Sequence, residues 1–350
     1  MKGAARARTQ CPIGEGGTGA SWACADQGNL RRPSVIGAIL AAALLAIPAP
    51  KAHAADTSCA GTPATIVGTS GADTITGTGG ADVISGMDGN DTINGLGDRD
   101  ILCGQDGNDT LRGGDSYDLV RGGAGADVLD PGNEQHDTVD YMFSLNPVTI
   151  DLNTGTATGQ GTDTIESYWQ VNGSHFDDTL IGTSTDDWFL GLDGDDLIKG
   201  NAGDDHVNGG KGADELRGNW GVDAVYGGLG NDLMLGGNGL ADIANYHSTA
   251  IDDQLNGTPV DVDLAAGTAT GWGTDSLTEF EGVWGTGAAD DIAGSAADDD
   301  LWGYGGSDVI YGRAGDDFLE GFLGASELYG GADFDTCWGG TVRSSCEASP

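Results

Sequence analysis

Basic residues are scarce in this sequence of 350 residues. Only 14 lysines and arginines stand against 55 aspartates and glutamates, which gives a formal charge of −41. Nucleic-acid binding depends on contacts from Lys and Arg to phosphates, so this balance argues against a nucleic-acid partner. Anionic membrane surfaces are disfavoured for the same reason. The composition implies a cationic partner instead.

Large apolar side chains are also few. Leu, Ile, Val and Phe together make up 67 residues, about 19% of the chain. This share lies below the ~20% under which a highly charged chain is expected to stay disordered. Such a chain needs organised repeats, or something that cancels its charge, before it can bury a core.

A single long apolar run is present, and it lies near the N-terminus. Arg31 and Arg32 precede 13 uncharged residues at 35–47, and PAPKAHA follows with Ala52 and Ala54 where a signal peptidase reads small residues. A run of this length is too short to span a bilayer and is typical of a secretory signal. We therefore predict that residues 1–54 are a signal peptide and leader. The remaining chain, with a charge of −45, should be extracellular and have no membrane span.

Nonapeptide repeats account for most of the glycine and aspartate. Twenty copies occur in three runs, at 68–130, 173–235 and 285–338. Position 1 is Gly in all 20, position 4 is Gly in 13, and position 6 is Asp in 19, with Ser326 as the exception. Glycine permits the positive φ of tight turns, and the last three residues read as a short strand with an apolar position 8. Stacked copies would bury the position-8 side chains as the core of a solenoid.

Stacking places the position-6 aspartates in rows about 5 Å apart, where like charges repel unless a cation neutralises them. Calcium takes six to eight oxygen ligands from carboxylates and carbonyls. Zinc is disfavoured because His and Cys are absent from the recurring positions. The repeats therefore predict calcium sites.

The repeat, seen in strings such as GLDGDDLIK and GGLGNDLML, resembles the RTX (hemolysin-type) calcium-binding repeat family. The resemblance implies an all-β parallel β-roll, in which three-residue strands form two sheets. It also implies that six-residue turns hold Ca²⁺ between one turn and the turn two repeats later. The position-6 carboxylates are then the expected metal ligands. They are Asp73, Asp82, Asp91, Asp100, Asp109, Asp118, Asp127, Asp178, Asp187, Asp196, Asp205, Asp214, Asp223, Asp232, Asp290, Asp299, Asp308 and Asp317.

The number of ions depends on how strictly a turn is judged. Requiring Gly at positions 1 and 4 and Asp at position 6 in both turns leaves six pairs, and dropping the requirement at position 4 raises this to 13. We expect six to 13 Ca²⁺ ions per chain and no other cofactor. The leader and the cysteines resemble the short secreted branch of the family, not a pore-forming toxin.

Two inserts separate the runs. Residues 148–200 and 260–312 match without a gap at an offset of 112, with 22 identities in 53 positions. Alternating apolar residues there predict strands that cap or continue the solenoid. The expected organisation is a leader at 1–54, an N-terminal cap at 55–67, repeat blocks at 68–130, 173–244 and 285–338, inserts at 131–172 and 245–284, and a C-terminal disulfide cap at 339–350.

Four cysteines follow the leader, and an even number in an exported chain favours disulfides. Three pairings are open. Cys59–Cys103 with Cys337–Cys346 is the local choice and would staple the two ends of the solenoid. Free buried thiols are the alternative.

Catalytic motifs are missing, since neither HExxH nor GxSxG occurs in the sequence. We therefore expect a secreted, non-enzymatic β-roll that folds on binding calcium and has a structural or adhesive role. Its cell-surface or matrix partner is not identified by the sequence. The alternative is a hydrolase or a carbohydrate-binding adhesin with its site in the inserts, where Trp169, Trp272 and Trp284 lie.

Overall fold

A computed structural model describes residues 57–132, 136–239, 241–247, 257–340 and 342–346. The predicted signal peptide and leader lie outside these residues. Regular structure in this part of the chain is β throughout. It contains no helix that could cross a membrane.

The strands are short, with lengths of two to six residues. The first repeat run and the insert after it contain β1 (Ser58–Cys59), β2 (Thr62–Pro63), β3 (Ile66–Val67), β4 (Thr74–Thr76), β5 (Val83–Asp88), β6 (Thr92–Gly97), β7 (Ile101–Asp106), β8 (Thr110–Asp115), β9 (Leu119–Ala124), β10 (Val128–Asp130), β11 (Thr138–Asp140), β12 (Thr149–Asp151), β13 (Thr156–Thr158), β14 (Thr162–Ile165) and β15 (Gln170–Asn172).

The second run and the second insert contain β16 (Thr179–Ile181), β17 (Trp188–Asp193), β18 (Leu197–Ala202), β19 (His206–Lys211), β20 (Glu215–Trp220), β21 (Ala224–Leu229), β22 (Leu233–Gly237), β23 (Ile243–Asn245), β24 (Asp261–Asp263), β25 (Thr268–Thr270), β26 (Thr274–Thr278) and β27 (Gly282–Trp284). The third run contains β28 (Asp291–Ala293), β29 (Asp300–Trp302), β30 (Val309–Ala314), β31 (Phe318–Glu320), β32 (Glu327–Ala332), β33 (Thr336–Trp338) and β34 (Val342–Ser344).

Alternate repeats enter two different sheets. A 14-stranded parallel sheet has the order β3-β5-β7-β9-β11-β15-β17-β19-β21-β23-β27-β29-β31-β33. Within a run the register advances by 18 residues, so that Val207 pairs with Val225 and Leu301 with Leu319. Two nonapeptides therefore complete one coil of a parallel β-roll.

The second sheet takes up the inserts without a break. Its pairings run β4-β6-β8-β10, then β14-β13-β12, then β16-β18-β20-β22, then β26-β25-β24, and finally β28-β30-β32-β34. Strands β13 and β25 are antiparallel to their neighbours. Each insert thus adds an antiparallel hairpin to an otherwise parallel sheet.

The core is the column of position-8 side chains between the two sheets. Ile84, Leu102, Leu216 and Ile310 are fully buried, and each such side chain contributes roughly 1.5–3 kcal/mol to folding. Ile150 and Val262 on the inserted hairpins continue the same column. A chain with few large apolar residues gains a continuous core because the position-8 side chain faces the interior in every repeat.

Disulfides lie at both ends of the described roll. Cys59 is bonded to Cys103 with a Cα–Cα distance of 5.6 Å, and Cys337 to Cys346 with 5.7 Å. These are the local pairs among the three that the sequence leaves open. Cys103 ends a repeat of the first run, so its bond ties the β1–β2 hairpin to the solenoid.

Candidate metal centre

The position-6 aspartates form a continuous ladder along each row of turns. The backbone N–H of Asp91 donates to Oδ1 of Asp109 at 2.8 Å, and the N–H of Asp109 donates to Oδ1 of Asp127 at 2.8 Å. In the second run, Asp196 and Asp214 are linked in the same way at 2.8 Å. One carboxylate oxygen of each residue is therefore a structural acceptor that holds two successive coils together.

Position 5 carries a second ladder in the opposite direction. Oδ1 of Asn90 accepts the N–H of Asn108 18 residues later, and Oδ1 of Asp186 accepts the N–H of Asp204. These side chains are exposed. The Asn and Asp residues that recur at position 5 are thus explained by backbone pairing between turns, and this ladder was not predicted from the sequence.

Fourteen repeats share one turn conformation, which we call the open turn. In these turns the residues at positions 2 and 4 both have positive φ. They begin at residues 86, 95, 104, 113, 122, 191, 200, 209, 218, 227, 303, 312, 321 and 330. Asp98, Ser116 and Asp333 adopt positive φ (66°, 84° and 76°) where the other open turns have glycine at position 4. The strict count leaves these three turns out because they lack glycine at position 4. Their backbone conformation is nevertheless that of the other open turns.

Most open turns bury a carboxylate oxygen that has no partner. The set of open turns whose Oδ2 is buried without a hydrogen bond includes those of Asp91, Asp100, Asp109, Asp127, Asp196, Asp205, Asp214, Asp223, Asp232 and Asp317. Oδ2 of Asp242, just after the second run, is in the same state. Leaving a charged oxygen buried and unpaired is costly. A cation bound at Oδ2 would remove that cost.

Space for these oxygens exists because position 1 is glycine. A Cβ built on Gly95 would lie 2.1 Å from Oδ2 of Asp100 and 2.7 Å from the carbonyl oxygen of Gly113. At Gly191 the corresponding distances are 2.2 Å to Asp196 Oδ2 and 2.4 Å to the carbonyl oxygen of Gly209. Carboxylate and carbonyl oxygens therefore converge at position 1, and these are the ligand types that calcium prefers.

Burial raises the pKa of these carboxyl groups. It raises the pKa of Asp196 to about 8, with the backbone N–H of Asp178 lowering it and the charge of Asp214 raising it further. The pKa values of Asp127, Asp205 and Asp214 are raised to about 7, again mainly by burial. Without a cation, the fold therefore favours the protonated form of groups that would be charged in water.

Six repeats have a different conformation, which we call the sealed turn. Position 2 is Thr or Ser, and both its N–H and its hydroxyl donate to the position-6 carboxylate. For Thr78 and Asp82 Oδ2 the distances are 2.6 and 3.0 Å, and the hydroxyl also accepts the N–H of Gly80 at 3.2 Å. The six pairs are Thr69/Asp73, Thr78/Asp82, Ser174/Asp178, Thr183/Asp187, Thr286/Asp290 and Ser295/Asp299.

The sealed turns are the first two repeats of each run. Their position-2 and position-4 residues do not have positive φ, which explains why Phe176, Thr185, Ala288 and Ala297 are tolerated at position 4. Thr and Ser hydroxyls form such local turns readily, and the branched Thr disfavours positive φ. The signal for a sealed turn was in the sequence, at position 2, and was missed.

Five further aspartates belong to the ladder but not to the predicted set: Asp335, at position 6 of the last repeat, and four that lie outside the counted repeats. Oδ1 of Asp137 accepts the N–H of Asp118, and Oδ1 of Asp242 accepts the N–H of Asp223, both at 2.9 Å. Their turns contain one extra residue, at Pro131 and Gly236, so a strict nine-residue count passes over them. Asp163 and Asp275 extend the ladder into the inserts, where they accept the N–H groups of Asp127 and Asp232 at 3.1 and 3.2 Å.

A tyrosine replaces the missing partner at each insert. The hydroxyl of Tyr141 donates to Oδ2 of Asp163 at 3.0 Å, and that of Tyr246 donates to Oδ2 of Asp275 at 3.0 Å. Both tyrosines are buried. Burial beside these carboxylates raises the pKa of both phenols, so each remains a donor at neutral pH. At each insert, a tyrosine hydroxyl thus pairs with the Oδ2 atom that has no partner in most open turns.

The third run departs from the pattern at Ser326. Its Oγ accepts the N–H of Asp308 at 3.2 Å and lies 3.1 Å from Asp308 Oδ2. A hydroxyl thus stands where the other ladders have a carboxylate. In the neighbouring row, the N–H of Asp317 donates to Oδ1 of Asp335 at 3.2 Å, so the carboxylate ladder continues there.

The structure brings the predicted aspartates together as rows of pairs, not as clusters. Within the described residues, no three His, Cys, Asp or Glu side chains come close enough to hold one metal ion. A site in these turns therefore combines one or two carboxylates with turn carbonyls. The unpaired Oδ2 atoms, the glycine cradles and the oxygen-only donors fit a hard divalent cation.

Comparison with protein families gives several matches to the RTX calcium-binding nonapeptide repeat. They cover residues 67–102, 104–138, 172–207, 181–216, 199–234 and 284–319. The comparison with curated proteins found no match to the chain.

Proposed function

Because the chain belongs to the RTX calcium-binding nonapeptide-repeat proteins, and is thus a calcium-binding β-roll, we propose that it is exported and folds when Ca²⁺ enters its open turns. We propose that it is not an enzyme and has a structural or adhesive role. The observation that carries the proposal is the set of buried, unpaired Oδ2 atoms facing turn carbonyls.

We assign the ions to neighbouring turns of a row that both lack Thr or Ser at position 2 and both supply an aspartate. Nine such pairs are joined by the position-6 ladder. They are Asp91/Asp109, Asp109/Asp127, Asp100/Asp118, Asp118/Asp137, Asp196/Asp214, Asp214/Asp232, Asp205/Asp223, Asp223/Asp242 and Asp317/Asp335. This assignment gives about nine ions and leaves out the sealed turns.

Calcium-dependent folding follows from the charge. Residues 55–350 carry a charge of −45, and stacking buries many of those carboxylates. Nine ions would add 18 positive charges at the places where the charge is buried. Because ions bind only to stacked turns, their binding free energy becomes folding free energy.

Export supplies the conditions that this mechanism needs. Disulfides persist in oxidising compartments, and two are formed in the described roll. The apolar run at 35–47 and the small residues before Asp56 support cleavage after Ala54. N-terminal sequencing of the exported protein tests this part of the proposal.

Ion stoichiometry tests the assignment directly. Native mass spectrometry and calorimetry should give about nine Ca²⁺ per chain, with strand content that rises with calcium in circular dichroism. Two exchanges at position 2 sharpen the test. Asn219→Thr should seal the turn of Asp223, which borders two assigned pairs, and so remove two ions. Thr78→Gly should open the turn of Asp82, which is already linked to Asp100, and so add one.

Two outcomes would contradict the proposal. A stoichiometry of one or two ions would show that the repeats do not form a row of sites. Unchanged stoichiometry in both position-2 variants, with the fold intact, would show that Thr and Ser do not close a turn to calcium. Tyr311→Thr, on an exposed strand position, is the matched control and should leave the ion count unchanged.

A further inference from the structure

A line of aromatic rings in edge-to-face or tilted contact runs along the outer face of the 14-stranded sheet. It passes from Tyr117 through His136 and Trp169 to Trp188 and His206, with ring centroids 4.0–5.2 Å apart. On the next strand the residue in register with His206 is Ala224. The line therefore ends at His206, and the small Ala224 side chain leaves a notch beside that ring.

The notch has the size of one six-membered ring. Its volume is about 180 Å³, and cavities of ~150 Å³ hold a benzene molecule. Trp188 and His206 border one side, and Tyr226, Asn245 and Trp284 border the other. Aromatic faces and amide groups thus surround a small opening.

Charge is excluded from this notch. The lining residues are Gln170, Trp188, Phe189, Leu190, His206, Val207, Asn208, Ala224, Tyr226, Asn245 and Trp284, with no Asp, Glu, Lys or Arg among them. One residue in five of the whole chain is charged. An uncharged ligand fits this lining.

One polar atom in the lining lacks a partner. Oδ1 of Asn208 is buried and accepts no hydrogen bond. Asn208 lies on the strand of His206, and its neighbour in register is Tyr226. A buried acceptor without a donor costs about 1–3 kcal/mol, and a ligand hydroxyl would satisfy it. An apolar side chain placed in the notch would leave it unpaired.

We propose that this notch binds a single neutral pyranose ring, such as a terminal sugar of a glycan. Aromatic rings pack against the C–H face of the sugar, and amide groups pair with its hydroxyls. A peptide added as a strand would need a sheet edge, whereas the notch lies on the face of a sheet between paired strands. The proposal does not rest on how many calcium ions bind.

The test uses the full exported protein at saturating calcium, with folding verified by circular dichroism. Methyl glycosides of glucose, galactose, mannose and N-acetylglucosamine are titrated while tryptophan fluorescence and saturation-transfer NMR are recorded. At least one neutral glycoside should bind, and glucuronate should not. Ala224→Phe, which fills the notch, should weaken binding by about tenfold or more, and Asn208→Ala should weaken it by roughly tenfold. The control Tyr311→Ala removes an exposed ring from the other sheet and should leave binding unchanged.

Three results would overturn the proposal. None of the four glycosides binds to the folded protein, or Ala224→Phe binds as tightly as the unmodified chain, or glucuronate binds as well as the neutral sugars. A variant that lost its calcium-dependent strand signal would be replaced by Ala224→Leu, which fills the same notch with a smaller side chain. Because folding is measured separately, these failures leave the calcium assignment standing.

Discussion

Replacing Asp214 by Asn should stabilise the fold in the absence of calcium and destabilise it in the presence of calcium. Asp214 lies in an open turn and is 2% exposed. Its Oδ1 accepts the N–H of Asp196 at 2.8 Å, and its Oδ2 has no partner. Asn has the same size and can keep the first bond, so the substitution removes the charge and one candidate ligand while the ladder remains.

The magnitudes follow from burial. Without calcium, burial raises the pKa of Asp214 to about 7 from 3.8, so its ionised form at about pH 8 costs up to roughly 4 kcal/mol. Asp214→Asn removes this cost and should stabilise the calcium-free fold by up to that amount. With calcium, losing one partner of a buried charge pair costs about 3–5 kcal/mol. The variant should then be less stable than the unmodified chain.

Asp82→Asn is the matched control in a sealed turn. Oδ2 of Asp82 accepts two bonds from Thr78, and an Asn amide oxygen at the same place accepts both without the negative charge that strengthens them. The loss should be about 1–3 kcal/mol, with the same sign with and without calcium. No calcium ligand is removed, because this oxygen is already paired.

The assay is urea unfolding followed by circular dichroism at about pH 8. It is run once in calcium and once in EDTA, with trimethylamine N-oxide added to both to hold the calcium-free fold. Equal destabilisation of Asp214→Asn in both conditions would refute the reasoning that its Oδ2 is an ion ligand. A reversal of sign in Asp82→Asn would show that calcium enters the sealed turns.

Three further predictions concern the same rows. In EDTA, strand content should rise as pH falls from about 8 to about 5. The pKa of Asp196 is raised to about 8 and those of Asp127 and Asp205 to about 7. The folded chain therefore binds more protons than the unfolded chain and loses stability as pH rises through this window. A circular dichroism signal that does not change with pH would contradict this. Tyr246→Phe should cost about 1–3 kcal/mol, equally with and without calcium, because it leaves Oδ2 of Asp275 unpaired; urea unfolding in both conditions checks this, and restoration by calcium would count against it. Replacing Cys59 and Cys103 by Ser should cost roughly 4 kcal/mol, given the 44-residue separation, and no change in the melting temperature would show that the bond does not restrain the unfolded chain.

The fold class and the type of ion were predictable because the repeat is local. Glycine at position 1, aspartate at position 6 and an apolar residue at position 8 each act within nine residues, and the family match agrees with them. The two turn types were readable in the same way, from Thr and Ser at position 2. Position 4 does not separate the two types, because Asp98 and Ser116 adopt the positive φ that glycine usually supplies there.

The sequence by itself determined the β-roll, its buried column and the oxygen-rich turns, since a strict period repeats the same short-range choices in every coil. Only the tertiary structure decided which carboxylate oxygens are left for an ion. Oδ1 pairs with a backbone N–H 18 or 19 residues away within a run, and Asp163 and Asp275 are reached from 36 and 43 residues away across the inserts. At the inserts, Tyr141 and Tyr246 close the rows from outside the repeat pattern. Such pairings depend on which coil lies above which, and a nine-residue period does not contain that information.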